Sequence, residues 1–251
     1  MAENYRFRPP YSREVYDTLL GLIRDQPRVV LDAGCGPGKI AREIVSAVDR
    51  IDAVDPSAEM IRVGRAQPGG ADRKINWICD RVETATLRPP YALVVAGASF
   101  HWMNPEVALT RFSEAISQEG MFAVLDGDTP VGQPWAREEQ DLMIEMVTEA
   151  DGVRPKWWAT MEQRLSEPLI RHPQFALAGS RVTAPMEVNQ SIADYLISLH
   201  SRAACSEQHL GEELAHDFDL KMSRLLSRYL VGGILTYQVK TRIDWGRPLP
   251  A

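Results

Sequence analysis

Three aspartates and three closely spaced glycines in the first third of the 251-residue chain have the types and spacing of a site for a polar, partly cationic ligand. The apolar run Val29-Val30-Leu31 ends in Asp32, and Ala33-Gly34-Cys35-Gly36-Pro37-Gly38 follows it. Glycines at alternate positions after a buried strand let backbone pass close to a bound molecule before a helix begins. A dinucleotide site spaces its glycines G-x-G-x-x-G and sets a pyrophosphate on the helix N-terminus. Here the spacing is G-x-G-x-G, with Pro37 between the last two and Asp32 just ahead of the first. A carboxylate at that place repels a pyrophosphate and attracts the amino group of a zwitterion. Asp55 closes the next apolar run, Ile51-Asp52-Ala53-Val54, where an acid can take both hydroxyls of a ribose. One acid for an ammonium and one for a ribose, around a glycine turn without phosphate chemistry, suit S-adenosylmethionine.

At these residues the chain resembles the class I S-adenosylmethionine-dependent methyltransferases. Asp32 to Gly38 are similar to the first motif of that family and Asp55 to the acid of its second. The resemblance implies contacts to the cofactor from Asp32, Ala33, Gly34, Cys35, Gly36, Gly38, Asp55, Pro56 and Ala98, and Met60, five residues after Asp55, reads either as packing on the adenine or as a core methionine facing the sheet. Ile75 to Asp80 reads as a third strand ending in an acid, and the family places Asp80 beside the adenine amino group with Arg81 and Val82 beside the ring. Ala98-Ser99-Phe100-His101-Trp102, after a fourth strand over Tyr91 to Gly97, resembles the small-molecule branch that includes trans-aconitate methyltransferase, as does Tyr5-x-x-Arg8-Pro9-Pro10-Tyr11. His101 is the candidate base or substrate-orienting donor, the alternative being a histidine that fixes its loop by bonding to backbone. Trp102 reads as a pocket wall or as core packing, and Tyr5, Tyr11 and Trp157 are the other candidates for the acceptor's surroundings.

Strands alternating with helices must hold these residues. An amphipathic helix over 13 to 24 carries Val15, Leu19 and Ile23 on one face, and a helix over Ala41 to Val48 follows the glycine turn. Asn104-Pro105 starts a helix through Ile116 that Gly120 ends, and Met121 to Leu125 is the fifth strand. Such alternation predicts an α/β fold whose ligands lie at the C-terminal strand ends. With the resemblance, the expectation is a doubly wound, mostly parallel seven-stranded Rossmann-like methyltransferase sheet with an antiparallel last strand and a helical lid.

The second half departs from alternation. Helix is expected over 134 to about 172, a sixth strand within Phe175 to Val188, helices over Ile192 to Ala204 and Glu207 to Leu230, and a last strand over Thr236 to Ile243. His200 and His209 read as solvated charge on these helices. The chain is expected to be a single methyltransferase domain over 1–251. Within it lie an N-terminal arm and helix (1–27), a cofactor-binding core (28–133), the sixth strand with a helical lid on the substrate side (134–231), and a last strand and tail (232–251).

Composition, at 45% apolar and 25% charged, is that of an ordinary globular protein. A net charge of −6 argues against a nucleic-acid partner, which needs clustered Lys and Arg. No apolar run reaches membrane-spanning length and the N-terminus lacks a signal-peptide core, so a cytoplasmic place without a membrane partner is expected. Cys35, Cys79 and Cys205 lack metal-ligand spacing, and no metal is expected. The expected activity is transfer of a methyl group from S-adenosylmethionine to a small organic molecule, at a carboxylate or hydroxyl oxygen, leaving S-adenosylhomocysteine. Two alternatives stand beside it: a protein of the same fold that binds the cofactor without transferring methyl, as a cyclase or regulatory module, and a nicotinamide-dependent oxidoreductase, which the glycine spacing and Asp32 disfavour.

Overall fold

The computed structural model describes residues 2–127, 130–155 and 167–250. These form two compact units, each discontinuous in sequence. The larger, Tyr11–Gly127 with Arg164–Ala184 and Thr241–Ala251, contains a seven-stranded sheet. Its strands are β1 (Val29–Ala33), β2 (Arg50–Asp55), β3 (Ile75–Cys79), β4 (Tyr91–Gly97), β5 (Ile116–Asp126), β6 (Phe175–Val182) and β9 (Arg242–Pro248), in the order β3-β2-β1-β4-β5-β9-β6. β3 through β5 run parallel, and β9 is antiparallel to both of its neighbours. This is the expected Rossmann-like methyltransferase sheet with its single reversed strand.

The central strands β1 and β4 are buried nearly end to end because both faces are covered. On one face lie α1 (Arg13–Leu22) and α2 (Lys39–Ile44), packing Val15, Leu19, Ile40 and Ile44 onto Val30, Ile51 and Leu93. On the other, α4 (Pro105–Ala115) packs Leu109 and Phe112 against Leu31, Val94 and Phe122. The cap read from sequence is present, Asn104 Oδ1 accepting the Val107 N–H at 3.2 Å; a second, not read there, is Ser57 Oγ, which accepts that of Met60 at 3.3 Å at the start of α3 (Ala58–Ala66).

The smaller unit comprises Met1–Pro10, Asp128–Gln163 and Pro185–Lys240. A 3-10 turn (Ala2–Phe7), α5 (Ala136–Asp151), α7 (Ile192–His200), α8 (Glu207–Leu210) and α9 (Glu212–Ser227) pack with an antiparallel pair of strands distant in sequence, β7 (Met186–Gln190) and β8 (Leu235–Val239). Trp135, Tyr195 and Tyr237 meet edge to face at its centre, with ring centroids 5.4–6.2 Å apart. Glu139 is buried there and accepts a hydrogen bond from the Tyr195 hydroxyl; burial pushes its carboxyl up to about 7, against the pull of that bond and of Arg202. The N-terminal turn is tied in by Gln190 Nε2, which donates to the Phe7 carbonyl at 2.7 Å, and by Arg8 Nε, which donates to Ser201 Oγ at 2.7 Å.

Several boundaries differ from the sequence reading. The run 236–243 is two strands, not one: β8 pairs with β7, and β9 enters the large sheet and continues to Pro248. Leu235, Tyr237, Val239, Thr241 and Ile243 are all buried, so the period-two pattern persists across the change of sheet and conceals it. Gly120 lies inside β5, not at a helix end; α4 stops at Ala115, and β5 starts at once. The helix expected over 207–230 is broken at Gly211, whose φ is 79°, and that over 41–48 becomes a 3-10 turn at Val45. His200 is not solvated: its Nδ1 lies 2.6 Å from the Cys205 carbonyl and its Nε2 2.8 Å from Asp219. Of the helix expected over 134–172, the described residues show α5 and the short α6 (Glu167–Ile170).

Candidate active site

The chain leaves β1 outward to β2 and β3 and then returns to β4 on the other side, so the order of strands reverses between β1 and β4. In open parallel sheets the crevice beyond the strand ends at that reversal is where ligands bind. The β1–β4 ladder stops at Asp32 and Val95, while β4 stays paired with β5 as far as Gly97 and Leu125. Asp32, Asp55, Asp80 and Ala98 all fall at this edge.

The glycine turn is closed from within. The N–H groups of Gly34 and Cys35 both donate to the Val54 carbonyl, at 2.8 and 2.9 Å, and that of Gly38 to the Cys35 carbonyl at 2.9 Å. The Gly36 N–H donates to Asp55 Oδ2 at 2.8 Å, and Pro37 has none. Every donor from 34 to 38 is therefore engaged, and no nest of N–H groups faces a phosphate. Gly34 needs its lack of a side chain twice over: φ is 68°, and a Cβ would lie 2.6 Å from Ser99 Cβ. Gly38, at φ 72°, is pressed by Trp77, whose ring would lie 2.5 Å from a Cβ there.

Two buried acids stand beside this turn. Asp32 is 2% exposed and its Oδ2 accepts the Ala41 N–H, at the start of α2, at 3.1 Å. Burial pushes it up to about 7, the Ala41 bond opposing and the Asp55 charge adding. Asp55 is also raised by burial, against the N–H groups of Ser57 and Gly36 that its two oxygens accept. Each of those oxygens keeps a lone pair for a hydroxyl donor. Two neighbouring carboxylates pushed toward neutrality by burial form a place that a cationic group stabilises. Cys35, between them, has its thiol pushed well up by burial and by both acids, which removes it as a thiolate nucleophile.

The remaining candidates are distributed around this pair. The Asp80 N–H donates to the Asp55 carbonyl at 3.2 Å, and Asp80 Oδ1 caps the turn that follows, accepting from the Arg81 N–H at 2.7 Å and Thr84 Oγ1 at 2.8 Å. Arg81 and Pro56 are exposed and Met60 is half-buried, whereas the Val82 side chain belongs to the core with Leu31 and Val54. Ala98 carries φ 50°, the only positive value outside glycine among the described residues, at the turn leaving β4. His101 and Trp102 sit on a 3-10 turn (Phe100–Trp102) with rings 4.9 Å apart, and Trp102 is 68% exposed, which rules out its reading as core packing. The Met103 methyl that follows would lie 3.4 Å from a Cβ on Gly34. The Tyr11 hydroxyl would lie 3.1 Å from a Cβ on Gly97, at the last residue of β4. Tyr5 belongs to the smaller unit, with the Arg8 guanidinium 4.2 Å from its ring centre, and Trp157 lies outside the described residues.

Sequence reasoning missed the fit of Trp77 to Gly38 and to Gly64 of α3, where a Cβ would lie 2.6 Å from the same ring. It also passed over Ser99. A glycine inside a helix was the available signal for Trp77; nothing in local spacing marks Ser99.

Comparison with known proteins agrees with this architecture. A family described as "Methyltransferase domain" matches residues 30–120. The malonyl-[acyl-carrier protein] O-methyltransferase of Anoxybacillus flavithermus is 23% identical over 225 residues, 84% of this chain and 83% of that one. The trans-aconitate 2-methyltransferase of Rhodopseudomonas palustris is 33% identical over 129 residues, 49% of this chain and 48% of its own length. Among solved structures, a type II methyltransferase candidate from Anaeromyxobacter dehalogenans superposes with a TM-score of 0.65 at 18% identity, covering 97% of this chain and 99% of that one.

Proposed function

We propose, from the premise that this chain is a class I S-adenosylmethionine-dependent methyltransferase, that it methylates an oxygen, carboxylate or hydroxyl, of a small organic molecule. The observation that carries the cofactor assignment is the glycine turn whose own N–H groups are all engaged, flanked by Asp32 and Asp55, two acids that burial makes receptive to a cation. Such a turn suits an ammonium and a ribose and offers little to a pyrophosphate. Asp55 is assigned to the ribose hydroxyls, Ala33 to Gly38 to the methionine part and Asp32 to its amino group. Pro56, Met60, Asp80, Arg81 and Val82 frame the adenine, and Ala98 closes the side next to β4. When bound, S-adenosylmethionine supplies an electrophilic methyl group.

The chain's own work is then to align an acceptor with that group and to keep water away. His101 is assigned to orient the acceptor, and to remove its proton where the acceptor is a hydroxyl; a carboxylate arrives ionised and needs no base. Tyr11 and Trp102 line the acceptor's side of the crevice, with Tyr5 and Trp157 as further candidates. Two relatives support an oxygen acceptor by their names, one an O-methyltransferase and the other acting on trans-aconitate. The covering role expected of 134–231, a cytoplasmic place and the absence of nucleic-acid or membrane partners belong to the same proposal.

The test is product analysis. Native protein is mixed with S-adenosylmethionine and a panel of small carboxylic acids and alcohols, and S-adenosylhomocysteine is measured beside methylated product. The two are expected to accumulate in step, with His101→Ala lowering turnover more than cofactor affinity. Cofactor binding without S-adenosylhomocysteine on any acceptor would favour a protein of this fold that binds without transferring.

A further inference from the structure

Where the β1–β4 ladder ends, one side chain takes over its work. Asp32 and Val95 are the last paired residues, and the next carbonyl of β1, that of Ala33, accepts a hydrogen bond from Ser99 Oγ at 2.7 Å. Ser99 is 7% exposed and lies two residues beyond β4, on the turn that leads to His101. From its other side the same segment is held by β2, through the N–H groups of Gly34 and Cys35 on the Val54 carbonyl. Contact with the glycine turn is close enough that a Cβ on Gly34 would fall 2.6 Å from Ser99 Cβ and 2.9 Å from its Oγ. Ala98, immediately before Ser99, is held at φ 50° while its N–H donates to the Leu125 carbonyl at 2.9 Å. A strained residue beside one whose hydroxyl is buried and hydrogen-bonded is the pattern of a turn fixed by its surroundings.

We infer that Ser99 is a positioning residue: its hydroxyl, bridging the crevice floor from the turn after β4 to the Ala33 carbonyl, sets the height of the glycine turn relative to the turn bearing His101. The inference rests on the reading of that glycine turn as the cofactor cradle. Removing the hydroxyl leaves a buried carbonyl unpaired at the point where the two turns meet, so the loss is felt in ligand geometry as well as in folding.

The test measures S-adenosylhomocysteine affinity by calorimetry and melting temperature together, for native protein, Ser99→Ala and Tyr91→Phe. Tyr91 begins β4 at the opposite end of the strand, where its hydroxyl donates to buried Asp52 at 2.7 Å and accepts the Arg88 N–H at 2.8 Å, so its loss removes hydrogen bonds from the same strand without touching the crevice. Ser99→Ala is expected to bind about tenfold more weakly while Tyr91→Phe keeps native affinity despite a lower melting temperature. Native affinity in Ser99→Ala, or equal weakening in both variants, overturns the assignment. Should Ser99→Ala not fold, Ser99→Cys, with a weaker donor of similar size, is expected to bind roughly three- to fivefold more weakly, and native affinity there overturns it equally. Failure of the native protein to bind would instead strike the cofactor reading on which the inference stands.

Discussion

The two ends of the parallel sheet treat buried carboxylates in opposite ways. Toward the N-terminal ends of the strands, Asp52 is 0% exposed and fully provided for: Arg88 Nη2 at 2.7 Å, Asn76 Nδ2 at 3.0 Å and the Tyr91 hydroxyl at 2.7 Å all donate to it. At the C-terminal ends, Asp32 and Asp55 are nearly as buried, yet the hydrogen bonds they accept come from backbone N–H groups and burial raises both. A charge supplied with cation and donors stabilises strands; one supplied only with backbone dipoles is stabilised further by what binds to it. On the proposed reading of the site, fold and function are divided along the length of the same strands.

That division predicts separable losses. Asp55→Ala should weaken S-adenosylhomocysteine binding by roughly 150-fold or more, the value of two charge-assisted hydrogen bonds at about 1.5 kcal/mol or more each, as read by calorimetry. Asp52→Ala should do the reverse, lowering unfolding free energy by about 2–4 kcal/mol in urea titrations and leaving affinity native below the transition. Loss of affinity in Asp52→Ala without loss of stability would dissolve the contrast. A smaller effect comes from pH. Because the Asp32 carboxyl is pushed up to about 7, it is mostly protonated at pH 6 and mostly ionised at pH 8. A ligand carrying an ammonium prefers the ionised form, so affinity should rise roughly tenfold across that interval, with proton release on binding below pH 7. Asp32→Asn should flatten this profile.

Legibility in the sequence followed the same division. The glycine turn and the acids at 32, 55 and 80 were readable because their chemistry demands particular residue types at strand ends, and chain order brings each there. The central strands β1 and β4 were readable because burial on both faces leaves nearly unbroken apolar runs, whereas the polar, partly exposed start of β5 at Ser117 to Glu119 concealed its first half. The break between β8 and β9 was not, since alternation continues through Thr241 whichever sheet receives it. Gly211 was not, because a helical pattern on both sides of it hides a turn that only its φ of 79° reveals. Ser99 and Trp77 act on residues in other strands or helices, and such pairings exist only once the sheet has formed.

The central claim is that the turn from Gly34 to Gly38, with Asp32 and Asp55, cradles the adenosyl and amino acid parts of one cationic cofactor. Calorimetric titration of the native protein with S-adenosylhomocysteine at pH 8 tests it most directly. Saturable one-to-one binding in the micromolar range is expected, abolished or strongly weakened in Asp55→Ala. A folded native protein that takes up no S-adenosylhomocysteine at millimolar concentration, or an Asp55→Ala variant that binds as the native chain does, would contradict it.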